Sequence, residues 1–217
     1  MLKNPPDLLG WNVNKTYLKE LQKKGIPVVP TFWLEQGEHT GLARLMTENR
    51  LEKAVVKPAI GLSTFGVTMV DRNAPENHPS NLVHEPTRVK LAELSGEQAL
   101  MVQPYLESVQ SYGERALVFI AGRYSHAVRK MAFQPLATAG HANEVLVQAT
   151  DSELETARRA IAILPEAPLY ARVDLVKGER GEELVMELEL VEPSLYFSLY
   201  PAAVPVFADA AQGCLNN

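Results

Sequence analysis

Cysteine is almost missing from this chain: Cys214 is the one thiol in 217 residues. That excludes an internal disulfide and any zinc site built on several thiolates, and it suits a reducing compartment, so the cytoplasm is the expected location. Long apolar runs are missing too. No stretch reaches the roughly eighteen uncharged apolar residues that a membrane-crossing helix needs, and the opening Met1-Leu-Lys-Asn-Pro-Pro-Asp7 has no signal-peptide core. Positive charge is in short supply. Lys plus Arg number 21 against 26 Asp plus Glu, a formal charge of -5, and no basic run stands out, which argues against nucleic acid as a partner. The chain also shows no fixed-period repeat and no low-complexity tract, which excludes a solenoid. What is present is ordinary: 46% hydrophobic and 22% charged residues match a soluble globular chain with one large domain or two small ones sharing a core.

The order of patterns predicts an α+β fold with mainly antiparallel sheets. A helix is expected from Asp7 or Asn12 to about Lys24, with Trp11, Tyr17, Leu18 and Leu21 near helical spacing and Gly25 closing it. That helix carries Lys15. Ile26 to Trp33 reads as an edge strand because of its two prolines, and a weaker helix is expected from Thr40 to Asn49. Ala54 to Pro58 and Val67 to Val70 form a hairpin around the loop Gly61-Leu-Ser63-Thr-Phe-Gly66. The polar stretch Asp71 to Glu85 is surface loop, with a soft boundary near 71–98 between a small subdomain (about 11–70) and a larger one (about 99–217). Further strands are expected at Ala99 to Leu106, Arg115 to Ile120 and Tyr124 to Met131, a helix at Ser152 to Leu164, and strands at Leu169 to Val176 and Glu183 to Val191. The aromatic segment Leu195 to Tyr200 reads as C-terminal core in preference to a partner surface.

Four features could carry chemistry. Lys57 ends a buried strand just ahead of the loop from Gly61 to Gly66; glycines let backbone amides approach phosphate oxygens and an ammonium adds a point charge to the same anion. The same pattern also reads as a hairpin turn with a snorkelling lysine. Asp174 on one strand faces Glu187 and Glu189 on the next, because residues i and i+2 of a strand share a face. Converging carboxylates repel unless cations neutralise them, and hard oxygen ligands suit magnesium carrying nucleotide phosphates; a solvated acidic face is the competing reading. Met101 to Glu107, followed by Glu114, is a strand leaving the core with polar groups at its end that could meet a ribose and an adenine edge, or simply pack. Arg129, in the basic cluster Arg123, Arg129 and Lys130, could stabilise charge on a transferring phosphoryl group or lie on the surface.

In this order the features resemble the ATP-grasp superfamily, most closely its glutathione-synthetase-like and ribosomal-protein glutamate ligase-like branch. The resemblance runs from about Trp11 to Ser194 through Trp11-Asn-Val-Asn-Lys15, Val55-Val-Lys57-Pro, the Gly61 to Gly66 loop, Val102-Gln-Pro-Tyr-Leu106, Gly113-Glu-Arg115, Arg129, Arg172-Val-Asp174-Leu and Glu187-Leu-Glu-Leu-Val-Glu-Pro193-Ser. The phrases Tyr124-Ser-His-Ala-Val-Arg129-Lys and Glu187 to Leu195 resemble a subgroup that includes the cyclo-ligase of the cycloserine pathway.

The resemblance implies an ATP-grasp fold in which two α+β subdomains clasp a nucleotide. Lys15 and Lys57 would contact the phosphates, and Gly61, Ser63 and Gly66 would close over them. Gln103, Pro104 and Leu106 would line the adenine pocket and Glu114 would bind the ribose. Asp174, Glu187 and Glu189 would hold two magnesium ions, with manganese as an alternative, and Arg129 would face the transferred phosphoryl group. Many relatives have asparagine in place of Glu189, and the loop here has only two glycines. The implied reaction is ADP-forming: a small, amino-acid-like carboxylate becomes an acyl phosphate and an amine or related nucleophile attacks it. Relatives of this type carry an extra α/β domain ahead of the first lysine helix, where this chain has about ten residues. The expectation is therefore a ligase or its ATP-binding portion, completed by a missing N-terminal domain or a homodimer, with a nucleotide-binding regulatory module without turnover as the alternative and a plain interaction domain behind both.

Overall fold

The computed structural model describes residues 4–61, 66–131 and 143–215. The chain opens with two short helices, α1 (Pro6–Val13) and α2 (Tyr17–Lys23). The single helix expected here breaks at 14–16, because the Asn14 side chain accepts from Thr16 N at 3.0 Å and Lys15 N donates to Ala59 O at 2.9 Å. Lys15 therefore sits in a turn rather than on a helix. Then follow β1 (Phe32–Leu34), a 3-10 turn at His39–Gly41, α3 (Leu42–Glu48), β2 (Lys53–Pro58), β3 (Thr68–Asp71), α4 (Glu85–Glu97) and β4 (Leu100–Pro104). The remainder is α5 (Ser108–Ser111), β5 (Glu114–Ile120), β6 (Arg123–Lys130), β7 (Glu144–Val147), α6 (Asp151–Ala162), β8 (Tyr170–Lys177), β9 (Glu183–Glu189) and α7 (Ala203–Leu215).

Two antiparallel sheets result, ordered β1-β4-β2-β3 and β7-β6-β5-β8-β9. The chain forms two compact units: Asn14–Thr16 with Val29–Tyr105, and Met1–Val13 and Tyr17–Val28 with Leu106–Asn217. A boundary near 71–98 is not what the chain adopts. β4, expected in the larger subdomain, lies between β1 and β2 and pairs with both, so the division falls after Tyr105.

In the four-stranded unit, one face of the sheet is the core: Ala54, Val56, Val70, Leu100 and Val102 pack with Leu42, Met46, Leu91 and Leu94 from α3 and α4. Strand alternation sends Val55, Lys57, Met101 and Gln103 to the other face. α4 is a helix that periodicity does not announce. Thr87 and Ser95 occupy buried positions beside Leu91 and Leu94, so the apolar stripe is thin.

In the five-stranded unit, α6 packs on β8 and β9, and its start is fixed by a capping box in which Thr150 and Glu153 exchange side-chain and backbone bonds. Glu153 is completely buried and also accepts from Tyr112 Oη and Arg115 Nε, both at 2.9 Å. The opposite face of the sheet carries Ala116, Val118 and Val128, which pack on the buried Tyr196, with Leu195 and Leu199 beside it. Within the segment Leu195 to Tyr200, it is thus Tyr196 that belongs to the core, with Leu195 and Leu199 partly buried against it. β6 turns from β5 through Ala121 and Gly122, both at positive φ.

β9 is an edge strand, yet its outer backbone groups are occupied. Val185 N donates to Pro27 O at 2.9 Å, Leu188 N to Tyr17 Oη at 2.9 Å and Leu190 N to Asn12 Oδ1 at 2.8 Å, while Asn12 Nδ2 donates to Leu188 O at 2.7 Å. Asn4 finishes the edge, donating to Leu190 O at 2.7 Å and Tyr170 O at 2.9 Å and accepting from Leu169 N at 2.9 Å. Asn4 has no exposed surface. Asn4→Ala orphans several buried backbone groups and should lower the unfolding free energy by about 3 kcal/mol, read from urea melts.

His126 supplies a pH dependence. Its Nε2 donates to Leu195 O at 3.0 Å and its Nδ1 accepts from Ser125 Oγ at 2.9 Å, the neutral tautomer that a carbonyl partner requires. Burial holds its pKa below 6.5. The unfolded chain therefore binds the proton more tightly, and stability should fall as pH drops below about 6.5. Melting temperatures of wild type and His126→Gln between pH 8 and 5.5 check this: the variant should show the shallower slope.

Candidate functional site

The five-stranded unit concentrates charge on one face. In the β8–β9 register Asp174 lies opposite Glu187 and Arg172 opposite Glu189, and in the β5–β6 register Glu114 lies opposite Lys130. Ala116 pairs with Asp174, which puts Glu114 two residues along on the same face. Arg172 clasps Asp174 with two bonds, Nε to Oδ1 and Nη2 to Oδ2, both 2.8 Å, and Nη2 also pairs with Glu189. Lys130 Nζ reaches Asp174 Oδ2 at 2.9 Å and pairs with Glu114.

Asp174 is 2% exposed. Burial alone would push its pKa up, but the charges of Arg172 and then Lys130 outweigh it and hold the carboxyl at about 2. Glu189 goes the other way: burial first and the negative charge of Asp174 second push it up to about 7. Among the described residues, register places Glu114, Glu144, Asp174, Glu187 and Glu189 on this face with Lys130 and Arg172.

Among the described residues no three His, Cys, Asp or Glu side chains already form a metal cage, and Arg172 and Lys130 stand among the carboxylates. Nor does Arg129 join the set. It pairs with Arg115, on the pleat face that Arg115 uses to reach Glu153, and its Nε is buried without a hydrogen-bond partner. Lys130, one residue on, faces Asp174 instead. Lys130 and Arg172 are the residues that sequence reasoning missed; the pattern Arg172-Val-Asp174 was the available signal, since i and i+2 share a face. Gly113 shapes this end of the sheet. It sits at φ 82, and a Cβ there would lie 2.7 Å from Lys130 O.

The same face fits a divalent cation by its chemistry. Its ligands are hard oxygens, and an open set of few protein ligands suits magnesium, which keeps waters or phosphates in its remaining positions. The neighbouring Tyr17 stays a neutral phenol, because burial, then the charge of Glu187 and, more weakly, of Glu189 and Asp174, push its pKa well above 10.

In the other unit, Lys15 Nζ donates to Gly61 O at 2.9 Å and is 9% exposed, and Asn14 bridges to Ile60. These bonds bring Lys15 to the start of the glycine-flanked loop, whose Ser63 lies outside the described residues. Gly66 ends the loop at φ 74, where a Cβ would meet Pro58 Cδ at 3.0 Å. Lys57 and Gln103 share the face opposite the core, with Gln103 buried and donating to Thr31 Oγ1 at 3.0 Å. Pro104 pairs with Ala54 at the end of β4, and Leu106, 8% exposed, is the first residue of the five-stranded unit's third segment.

No family model matches this chain. It is 32% identical over 96% of its length to the cycloserine biosynthesis protein DcsG of Streptomyces lavendulae, and it covers 72% of that protein. The chain belongs to the ATP-grasp ligases, the family of DcsG. The crystal structure of D-cycloserine synthetase DcsG superimposes with a TM-score of 0.84 at 29% identity, over 97% of this ATP-grasp chain and 72% of that one. Its fold is also that of the ATP-grasp ligase PsnB bound to a precursor peptide and AMPPNP (TM-score 0.67, 15% identity, 98% of this chain, 62% of PsnB). A third match is D-alanine–D-alanine ligase from Bacillus anthracis bound to ATP (TM-score 0.65, 18% identity, 96% and 67%). The α+β fold with two antiparallel sheets is thus an ATP-grasp fold, and the chain is an enzyme of the ATP-dependent ligase kind.

Replacing Arg172 by Met leaves the buried Asp174 with Lys130 alone and should destabilise the protein by about 3 kcal/mol. Arg129→Met, on the other face, should cost under about 1 kcal/mol. Paired urea melts compare the two, and equal losses would refute the assignment of faces.

Proposed function

We propose that this chain is an ADP-forming, magnesium-dependent carboxylate–amine ligase that works through an acyl phosphate. The observation that carries the reading is the charged face of the five-stranded sheet, where Asp174, Glu187 and Glu189 come together on β8 and β9 beside Arg172, with Glu114 and Lys130 on β5 and β6. Asp174, Glu187 and Glu189 would hold magnesium, with manganese as a substitute. When bound, the cation supplies charge neutralisation at the phosphates.

The chain's own residues do the rest. Arg172 keeps Asp174 ionised and aimed, and Lys130 ties Asp174 to Glu114. These two cations, rather than Arg129, would offset charge on the phosphoryl group as it moves. Lys15 and Lys57 would contact the nucleotide phosphates, and the loop Gly61 to Gly66, including Ser63, would cover them. Gln103, Pro104 and Leu106 would line the adenine site, and Glu114 would accept from the ribose.

The likeness to D-cycloserine synthetase supports a small, amino-acid-like substrate whose carboxylate takes the phosphoryl group from ATP before an amine or related nucleophile displaces phosphate. A water-free site is needed, since an acyl phosphate hydrolyses readily. The single cysteine suits a reducing compartment, and we assign the protein to the cytoplasm. No helix among the described residues is long and apolar enough to cross a membrane.

Calorimetric titration of ATP with and without magnesium is the test. Binding should require magnesium, weaken by at least about tenfold in Asp174→Asn, and weaken in Lys57→Ala. Release of ADP and phosphate with candidate amino acids should follow. Binding without release would assign a nucleotide-binding module, and magnesium-independent binding would refute the cation reading.

A further inference from the structure

The carboxylates Glu187 and Glu189 lie on an edge strand of their sheet. β9 has one strand neighbour, β8, and the pairing shifts just before Glu187: Asp174 is opposite Glu187, whereas Leu175 is opposite Val185, so Met186 is an extra residue. A bulge bends a strand and locally interrupts its hydrogen-bond ladder. Like charges on Asp174, Glu187 and Glu189 add repulsion along the same segment. Beyond the bulge β8 holds the strand on one side, and on the outer edge two side chains grip the backbone around Glu189. Tyr17 Oη accepts from Leu188 N at 2.9 Å, and Asn12 takes both Leu188 O at 2.7 Å and Leu190 N at 2.8 Å. These are the backbone groups on either side of Glu189. Tyr17 is 2% exposed and Asn12 6% exposed, and the Tyr17 ring is anchored against Trp11 at 5.2 Å.

We propose that Tyr17 and Asn12 are positioning residues for a divalent cation: by clamping the backbone around Glu189 they keep Glu187 and Glu189 at the spacing that cation binding requires. The inference rests on the cation reading of the carboxylate face. Partners that orient ligating groups typically contribute 10–100-fold to metal affinity. The clamp uses one acceptor from Tyr17 and one acceptor and one donor from Asn12, so phenylalanine at 17 removes a single bond and keeps the ring.

The test is ATP binding by calorimetry across a magnesium series for wild type, Tyr17→Phe, Asn12→Ala and Met46→Ala, the last removing core volume in the other unit. Tyr17→Phe should need about tenfold more magnesium for half-maximal binding. Asn12→Ala should shift the midpoint the same way. Met46→Ala should lower the melting temperature without moving the magnesium midpoint, which separates positioning from lost stability. If Asn12→Ala does not fold, Tyr17→Phe decides alone. A folded Tyr17→Phe with the wild-type midpoint overturns the inference and leaves the cation reading standing. A wild type without magnesium dependence overturns both, and does so before any variant is made.

Discussion

Burying Asp174 is the constraint around which the five-stranded unit is organised. A carboxylate in the middle of a sheet can stay ionised only if its charge is matched nearby. Arg172, two residues away on the same strand, matches it with a two-bond fork, and Lys130 approaches from β6. Both partners depend on register. A one-residue slip of β6 would turn Lys130 away and bring Arg129 round, and a slip of β9 would remove Glu187 and Glu189 from the face. The charge set and the strand pairing therefore specify each other.

The edge of that sheet solves a second problem. An open strand edge invites pairing with other chains, and here it is closed by Pro27, Tyr17, Asn12 and Asn4. Side-chain amides imitate a neighbouring strand, since asparagine offers a donor and an acceptor at nearly the spacing of a peptide group. The residues from Asn4 to Val28, apart from Asn14–Thr16, thus belong to the C-terminal part of the chain in space although they begin it in sequence. Asn14–Thr16 bonds instead to Ala59 and Ile60, which puts Lys15 at the start of the glycine-flanked loop.

Some of this was legible along the chain. The hairpin of β8 and β9, with Asp174 opposite Glu187, follows from two apolar runs joined by a polar turn, and β2 with Lys57 near its end follows from a short apolar run stopped by proline. Other elements were not. α4 buries Thr87 and Ser95 in place of a full apolar stripe, and α7 is apolar on most sides, so neither has a helical period to detect. The break between α1 and α2 is made by Asn14 and by a backbone bond to Ala59, more than forty residues away.

Local spacing determined which residue types could share a face: Glu187 with Glu189, and Arg172 with Asp174, because a strand alternates with a period of two wherever it lies. It also limited the chemistry, since one cysteine and many carboxylates favour oxygen ligands over thiolates. Tertiary structure alone decided the phase between strands. Arg129 and Lys130 are equivalent basic residues in sequence, and only the pairing of Glu114 with Lys130 across β5 and β6 turns one toward Asp174 and the other away. It also decided that β4 sits between β1 and β2 and that Tyr17 and Asn12 close the edge of β9. Such choices rest on contacts between residues far apart in the chain, whose cost and gain do not register in the spacing of nearby residues.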